Sequence, residues 1–466
     1  MVDRHRDKGS SGPRYKWIAD ALMAQIKAGH FGPGQRLPSI RSLCRQHRVS
    51  IVTCERALRS LESRGLIFAV PRVGYYQYQH HAVCPQAGRP QAGRAATGKG
   101  RIIDWRCLLL NQDILSTINL AGFIPRSVLR PSFDEVMRAA PAPGDPALRA
   151  AIVRQLHLQG FGAHMDAVTV TDGSLAVVQH ALHVLNRPGT VVVQAPLCPA
   201  LAEILRLSAR RVIELDMLSP SVVVHELLRV ILDRGVTVAA AVIAPSCHPI
   251  SGQRLTFKDS VACYRLCVEH DIPLIVDDSM RYLMPPPRLA QPFKAIDEAD
   301  IVIQHASLVS FLTPGLPIGW VFGGRWHAAL QASLARVHPH PPAHLQQIVA
   351  ALFNHKRVLE GRVAVARECH RLVGFMADVV TTHCPKSVTL HVPHGGPHLC
   401  LRLPSGLAAE SVCTAAADEG LLLNAGGDCS LTGLYRDCLV LGTNIDPDSM
   451  RQGARVLGHV LRRLAG

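Results

Sequence analysis

Apolar residues in the first 80 positions recur at spacings of three and four in three separate stretches, a pattern that predicts amphipathic helices. The three apolar faces consist of Ile18, Leu22 and Ile26; of Ile40, Leu43 and Cys44; and of Cys54, Ala57, Leu58 and Leu61. Ser39 and Ser50 come just before the second and third stretches, where a hydroxyl group can cap a helix. Residues 66–70 and 75–78 then alternate like short strands around a turn. The pattern therefore predicts three helices followed by a two-stranded wing.

Downstream of residue 102, short aliphatic runs bounded by Gly, Pro or Asp alternate with amphipathic helical stretches. The predicted strands are residues 168–171, 191–194, 212–215, 239–244, 274–276, 301–303 and 318–322. Helical stretches between them include residues 175–185, 198–207 and 264–270. This alternation indicates an α/β domain in which a largely parallel sheet is covered by helices on both faces. Ligands of such domains bind at the carboxyl ends of the strands.

Two segments lack this periodicity and divide the chain. Residues 1–12 are polar, and residues 80–101 combine several Gly and Pro with a repeated QAGR, which predicts a flexible terminus and a flexible linker. A chain of 466 residues is also too long for one compact core. We therefore expect a small domain at 13–79 and a large one at 102–466.

Charge is concentrated in the small domain. Residues 1–100 contain 17 Lys and Arg against 5 Asp and Glu, a net of +12 out of +15 for the whole chain. The third predicted helix displays Thr53, Arg56 and Arg59 opposite its apolar face, and the turn of the wing carries Arg72. Hydroxyl and guanidinium groups on such a helix are suited to base edges and phosphates in a major groove. A helical hairpin with merely solvated arginines is the alternative, and the charge asymmetry argues against it.

The composition also excludes some classes of protein. The longest apolar run, residues 236–245, has the length of a strand rather than of a membrane span, and residues 1–9 lack the apolar core of a signal peptide. We therefore expect a cytoplasmic protein without a membrane partner, whose 14 cysteines are mostly small buried hydrophobes. Cys263 and Cys267 are one helical turn apart, but no spacing matches a closed zinc site, so no metal is predicted.

Residues 29–39, GHFGPGQRLPS, resemble the G-x-x-x-P-G-x-x-L-P-S signature of GntR-type winged helix-turn-helix repressors. The resemblance implies an α+β DNA-binding domain and a double-stranded DNA operator as its partner. The residues expected at DNA are Ser39, Arg41, Ser50, Thr53, Arg56, Arg59, Arg72 and Gly74. One departure is Ile51, which stands where this family often has arginine, so the operator preference of relatives does not carry over.

The large domain resembles the fold-type I pyridoxal-phosphate aminotransferases through the order of its landmarks. They are GDPALR at 144–149, TDGS at 171–174, Pro196, the loop at 245–252, VDD at 276–278 and the block at 307–319. A GntR-type head joined to such a body is similar to the MocR-like regulators. The resemblance implies an aminotransferase-like α/β fold for residues 102–466.

The same resemblance assigns cofactor positions and shows where this chain departs from them. The family's S-x-S-K-x-x-x-P-G-x-R-x-G block aligns without gaps on residues 307–319, which places Ser310 at the Schiff-base lysine and Pro317 at the phosphate-binding arginine. Met280 and Val440 replace a tyrosine and a substrate-binding arginine. A hydroxyl cannot form an imine, so pyridoxal phosphate could be held only without a covalent bond. The residues left for such a vestigial site are Gly173, Ser174, His248, Asp277, Ser307 and Ser310.

The sequence favours a DNA-binding transcriptional regulator, not an enzyme. We expect a homodimer that sets the spacing of two heads on an operator, with a small-molecule effector in the vestigial pocket. An active aminotransferase with an attached DNA-binding domain is the alternative, and a dimerisation scaffold without any ligand is a third hypothesis. Asp277 could equally cap a turn at a strand end, and Ser174 and Ser307 could act as cap and turn residues.

Overall fold

The computed structural model describes residues 14–27, 30–31, 35–63, 66–70, 74–77, 102–106, 123–219, 224–284, 292–308, 317–337, 340–353 and 355–465. The chain divides into two compact units, and the boundary between them in the sequence lies between residues 92 and 93. We call them the head and the body. Among the helices of these ranges, none combines the length and the apolar character needed to cross a bilayer.

The head contains three helices and a hairpin. They are α1 (Arg14–Lys27), α2 (Ile40–His47), α3 (Ile51–Ser63), β1 (Ile67–Val70) and β2 (Gly74–Gln77). The two strands are antiparallel, with Ile67 opposite Gln77, as the alternation predicts. The predicted turn residue Arg72 lies outside the described residues.

The head core confirms the predicted apolar faces with one difference. The faces of α1 and α3 are fully buried and pack with Leu37, Leu43 and Ile67 in one cluster. On α2 only Leu43 is fully buried, while Ile40 and Cys44 are half-buried at the edge of the cluster. The helix α2 has eight residues, little more than two turns, so one side of it offers few positions to the cluster.

The body contains thirteen strands within the described ranges. They are β3 (Ile103–Asp104), β4 (Val168–Thr171), β5 (Thr190–Ala195), β6 (Val212–Asp216), β7 (Val238–Ile243), β8 (Leu274–Asp277), β9 (Val302–Ser307), β10 (Gly319–Phe322), β11 (Thr389–His391), β12 (His398–Arg402), β13 (Leu421–Leu422), β14 (Asn424–Ala425) and β15 (Cys438–Gly442). All seven predicted strands are present, with ends shifted by up to four residues.

The α-helices of the described body surround these strands. They are α4 (Arg126–Leu129), α5 (Phe133–Met137), α6 (Pro146–His157), α7 (Leu175–Leu185), α8 (Pro199–Leu207), α9 (Val224–Asp233), α10 (Phe257–Glu269), α11 (His327–Val337), α12 (Ala343–Phe353), α13 (Lys356–His383), α14 (Ala409–Asp418) and α15 (Pro447–Ala465).

The seven predicted strands form one sheet in the order β4-β10-β9-β8-β7-β5-β6. The strands β9, β8, β7, β5 and β6 pair in parallel, and β10 is antiparallel to both of its neighbours. The largely parallel sheet is therefore confirmed. A second, smaller antiparallel sheet, β11-β12-β15-β14, lies in the C-terminal part of the body.

Helices cover both faces of the large sheet because its strands are apolar on both sides. Val191 and Val193 of β5 pack with residues of α7, α8 and α11, whereas Val192 packs with residues of α9 and α10. Alternate residues of one strand point to opposite faces, so a continuous apolar run predicts a strand that is buried on both.

A buried ion pair lies just beyond the end of β8. Arg281 Nη1 is 3.2 Å from Asp278 Oδ2, and both side chains are only 3% exposed. Gln304 of β9 donates a further hydrogen bond to Asp278 Oδ2 at 3.1 Å. Charges are stable in such a place only when they are paired, because burial removes their hydration.

We predict that Asp278→Ala lowers the free energy of unfolding by about 3–5 kcal/mol, since it removes the carboxylate that faces a buried guanidinium. Urea unfolding followed by circular dichroism measures the effect. Asp448→Ala is the matched control, because the Asp448 side chain is 89% exposed in its pair with Arg451. This substitution should lower the free energy of unfolding by less than about 1 kcal/mol. Equal unfolding midpoints for the two variants would contradict the assignment.

Candidate functional site

The second and third helices of the head begin at capping serines. Ser39 accepts a hydrogen bond from the Ser42 amide at 3.2 Å. Ser50 accepts one from the Thr53 amide at 3.3 Å, and its hydroxyl lies 2.9 Å from that of Thr53. Both serines, predicted to lie at DNA, thus also hold the starts of α2 and α3.

Arginine side chains surround the exposed side of these helices. Arg41 on α2 and Arg59 on α3 are exposed, and so is Arg56. The Arg56 guanidinium lies over the ring of Tyr15, 4.4 Å from its centroid, so this side chain is held against α1 by a cation–π contact.

In the wing, Gly74 has φ +146°, a backbone conformation that favours glycine. A Cβ at this position would also lie 3.0 Å from Arg36 Nε, so a larger residue would press against Arg36.

The first turn of α3 also exposes two apolar side chains. Ile51 is 54% and Val52 is 73% exposed, although the remaining apolar residues of this helix are buried. They adjoin Ser50 and Thr53, which belong to the predicted DNA face. In the sequence, Ile51 stands out only as the replacement of an arginine, and its exposed apolar side chain becomes visible only in the structure.

In the body, a cavity of about 560 Å³ opens at the carboxyl end of the large sheet. Its described lining consists of Asp172, Gly173, Ser174, Leu175, Ala176, Cys198, Pro199, Ala200, Pro249, Ile250, Asp277, Ser279, Met280, Ser307 and His398. These residues come from the ends of β4, β8 and β9, from the segments after β5 and β7, and from β12 of the small sheet. The predicted residues Gly173, Ser174, Asp277 and Ser307 all lie in this lining.

Asp277 ends β8 and faces the cavity. Its Oδ1 accepts the Ser279 amide at 2.9 Å, so the carboxylate does cap the following turn, and 17% of its side chain stays exposed. Behind it, on β9, lies the fully buried His305, whose Nδ1 is 3.8 Å from Asp277 Oδ1. Burial lowers the pKa of His305, although Asp277 and Asp278 oppose this. Sequence reasoning missed His305; its only signal was its place two residues before Ser307 on the same strand.

The hydroxyl groups around the cavity differ in their bonding. Ser174 stands at the N-cap of α7, but its side chain makes no capping hydrogen bond. Ser307 Oγ donates weakly to the Ile318 carbonyl at 3.5 Å. Ser279 Oγ is buried and has no hydrogen-bond partner within the described part of the chain. The capping alternative for the Ser174 side chain is therefore not seen.

His248 does not line this cavity. Its Nδ1 is bonded by the Ser251 amide and hydroxyl at 3.1 and 3.0 Å, and its Nε2 lies 3.4 Å from the Gln194 carbonyl. Burial lowers its pKa to about 4, so the imidazole is neutral near pH 7. The hydrogen bonds between His248 and Ser251 hold the loop whose residues Pro249 and Ile250 line the cavity. Ser310, the sixth predicted residue, lies outside the described residues.

Lysine is scarce in the body, where it occurs from residue 102 onward only at residues 258, 294, 356 and 386. Three of these side chains are exposed. Lys294 binds Asp297, the Asp300 carboxylate at 2.6 Å and the Val302 carbonyl at 3.1 Å. Val302 begins β9 whereas Ser307 ends it, so five residues of strand, about 16 Å, separate this amine from the cavity edge.

The comparisons with known proteins match this division of the chain. Residues 14–76 match the family of bacterial regulatory proteins, gntR family, and residues 125–448 match aminotransferase class I and II. The second match covers more than half of the chain, so the body belongs to the class I and II aminotransferases. With its GntR-type head, the protein is a member of the MocR-like helix-turn-helix regulators.

Two helix-turn-helix regulators are similar to nearly the whole chain. The HTH-type transcriptional regulator YjiR of Escherichia coli is 26% identical, with 97% of this chain and 99% of the relative covered. TauR of Rhodobacter capsulatus, another HTH-type transcriptional regulator, is 22% identical over 90% of each chain. Among solved structures, the α-aminoadipate aminotransferase LysN of Thermus thermophilus superimposes with a TM-score of 0.70 at 22% identity and covers 78% of this chain and 93% of its own. The likeness to LysN establishes the fold alone.

Proposed function

We propose that this protein is a transcriptional regulator that binds an operator through its head and whose body does not catalyse transamination. The observation that carries the proposal is the head, which has a GntR-type fold with exposed arginines on and beside α3. Residues 1–100, which include the head, hold +12 of the net charge of +15. The name of every regulator reported above supports the same class of function.

The third helix of the head is the element that we assign to the major groove. Arg41 and Arg59 would bind phosphates, and Thr53 would contact base edges or phosphates. Ile51 and Val52 give its first turn an apolar surface, which suits the C5 methyl group of thymine. The head would therefore prefer half-sites with thymine at the positions that face this turn.

Two heads bind a two-fold symmetric operator best, so the active species is a homodimer formed through the bodies. A small molecule in the body cavity would change the arrangement of the heads if it bound the DNA-competent and incompetent forms with different affinity. The body would then act as a sensor in the cytoplasm.

The donor set of the cavity argues against transamination. The described lining contains no lysine, and Lys294 is held at the opposite end of β9. Its described lining also contains no arginine, while Asp172 and Asp277 both contribute carboxylates. Pyridoxal phosphate needs an amine for its imine and cations for its phosphate, so these residues do not fit it. The helix start at Ser174 alone would favour the phosphate.

We predict that Arg41→Ala weakens operator binding and reduces the steepness of its salt dependence by about 0.9 for each phosphate that is no longer neutralised. A duplex selected from random DNA, titrated by fluorescence anisotropy at several salt concentrations, measures this slope. Arg371→Ala in the body changes the net charge equally, since Arg371 is exposed and pairs only locally with Glu368, and should leave the slope unchanged. An unchanged slope for Arg41→Ala would remove this residue from the interface.

A second prediction concerns Ile51. Replacing thymine by uracil removes only the methyl group. At the contacted positions the binding free energy of the wild type should therefore weaken by about 0.8 kcal/mol, a factor of about four in Kd. Ile51→Ala should discriminate thymine from uracil less than the wild type does, while its salt dependence stays that of the wild type, because Val52 remains exposed beside it. Discrimination as large as that of the wild type would show that Ile51 does not contact the methyl group.

The absence of transamination is tested directly. Incubation with pyridoxal phosphate and then borohydride should give no stoichiometric reduced adduct on a single body lysine, because no lysine occurs in the described lining of the cavity. Exposed lysines elsewhere should react only partially and without preference for one position. Peptide mass mapping is the measurement, with an active aminotransferase as the positive control. A stoichiometric adduct on one body lysine would overturn this part of the proposal.

A further inference from the structure

We propose that the body cavity binds an organic cation, a small molecule with a protonated amine or amidine at one end and an apolar remainder. The inference rests on the proposed function only in that the body binds its ligand without covalent chemistry. The charges, the unsatisfied polar atom and the shape of the cavity support it.

The charge of the cavity is opposite to that of the whole chain. Asp277 lines it together with Asp172, and among the basic residues of the described part of the chain only His398 does so, with its Nδ1 2.8 Å from the Pro249 carbonyl. The chain as a whole carries +15, so any non-specific attraction would favour anions. A preference for a cation would therefore have to arise from these local carboxylates.

The charge of Asp277 is not neutralised from behind. His305 Nδ1, 3.8 Å from Asp277 Oδ1, is beyond hydrogen-bonding distance, and burial lowers the pKa of this imidazole. The Ser279 amide occupies Oδ1 of the carboxylate at 2.9 Å. The group can therefore still accept charge-assisted hydrogen bonds from a donor in the cavity.

Ser279 supplies an independent sign of a ligand. Its residue is only 4% exposed, lines the cavity, and has a hydroxyl without a partner in the described structure. A buried hydroxyl is normally hydrogen-bonded. An ammonium group has three donors and could bind the Asp277 carboxylate and, once the Ser279 side chain rotates toward the cavity, the Ser279 hydroxyl two residues further along the same turn.

The rest of the lining favours an apolar body on the ligand. Leu175, Pro199, Ile250 and Met280 contribute side chains to the wall. Ile250 also packs in an apolar cluster with Val440, at the position where the family resemblance implied a carboxylate-binding arginine. A volume of about 560 Å³ suits a metabolite-sized molecule. An amino acid would leave its carboxylate opposite Val440 without a cationic partner.

The test compares three probes with one apolar body, namely 2-phenylethylamine, 2-phenylethanol and 3-phenylpropanoate, together with pyridoxal phosphate. Binding to the full-length protein is measured by ligand-observed NMR titration. We expect the amine to bind at least about tenfold more tightly than the alcohol, which corresponds to one charge-assisted hydrogen bond, and the acid and the phosphate to bind more weakly still.

Variants connect this preference to named residues. Asp277→Asn keeps an acceptor for the Ser279 amide and should abolish the advantage of the amine over the alcohol, whereas Asp134→Asn, an exposed carboxylate on α5, should not. Ser279→Ala should reduce amine binding in part, and it supports the assignment independently if Asp277→Asn proves unstable in a melting experiment.

Two results would overturn the proposal: equal or tighter binding of the acid or of pyridoxal phosphate, or no detectable binding of the amine at millimolar concentration. Operator binding measured on the same samples keeps the two proposals separate. If the amine fails while the operator is still bound, the regulator stands and the cavity assignment falls.

Discussion

Parallel pairing in the large sheet is the constraint on which the site depends. Neighbouring strands that run in the same direction must end at the same edge, and each needs a helical crossover to return to the start. The segments after β4, β5, β7 and β8 therefore converge, and with Ser307 and His398 they form a cavity from residues up to 226 positions apart in the chain. Because the strands are covered on both faces, this edge is where polar groups remain accessible to a ligand.

Beneath the cavity the protein keeps a group of buried polar side chains that a simple apolar core would not need. Asp278 pairs with Arg281 and Gln304, and His305 stands behind Asp277. Such an arrangement is costly to bury and fixes the direction of each carboxylate. Asp278 is held inward by its pair, which leaves Asp277 as the carboxylate of this tandem that lines the cavity.

The recognition that we propose for the head and for the body depends on different interactions. The head relies on exposed arginines and on a few side chains at the start of α3, where solvent screening makes the interaction dependent on salt. For the body we propose recognition in a partly enclosed cavity, where a single carboxylate has a larger effect because less water surrounds it. A regulator that joins the two needs only a ligand-dependent change in the bodies to alter how two heads reach one operator.

The sequence by itself determined both fold classes, because the spacing of apolar residues directly reports which faces of helices and strands are buried. It also identified Gly173, Ser174, Asp277 and Ser307, since these lie at strand ends within recognisable motifs. It could not separate His248, which packs against Ser251, from a cavity residue, nor reveal His305, Ser279 and His398. Whether a polar side chain faces a cavity or a neighbour depends on which strands lie side by side. That order, β4-β10-β9-β8-β7-β5-β6, exists only in the tertiary structure.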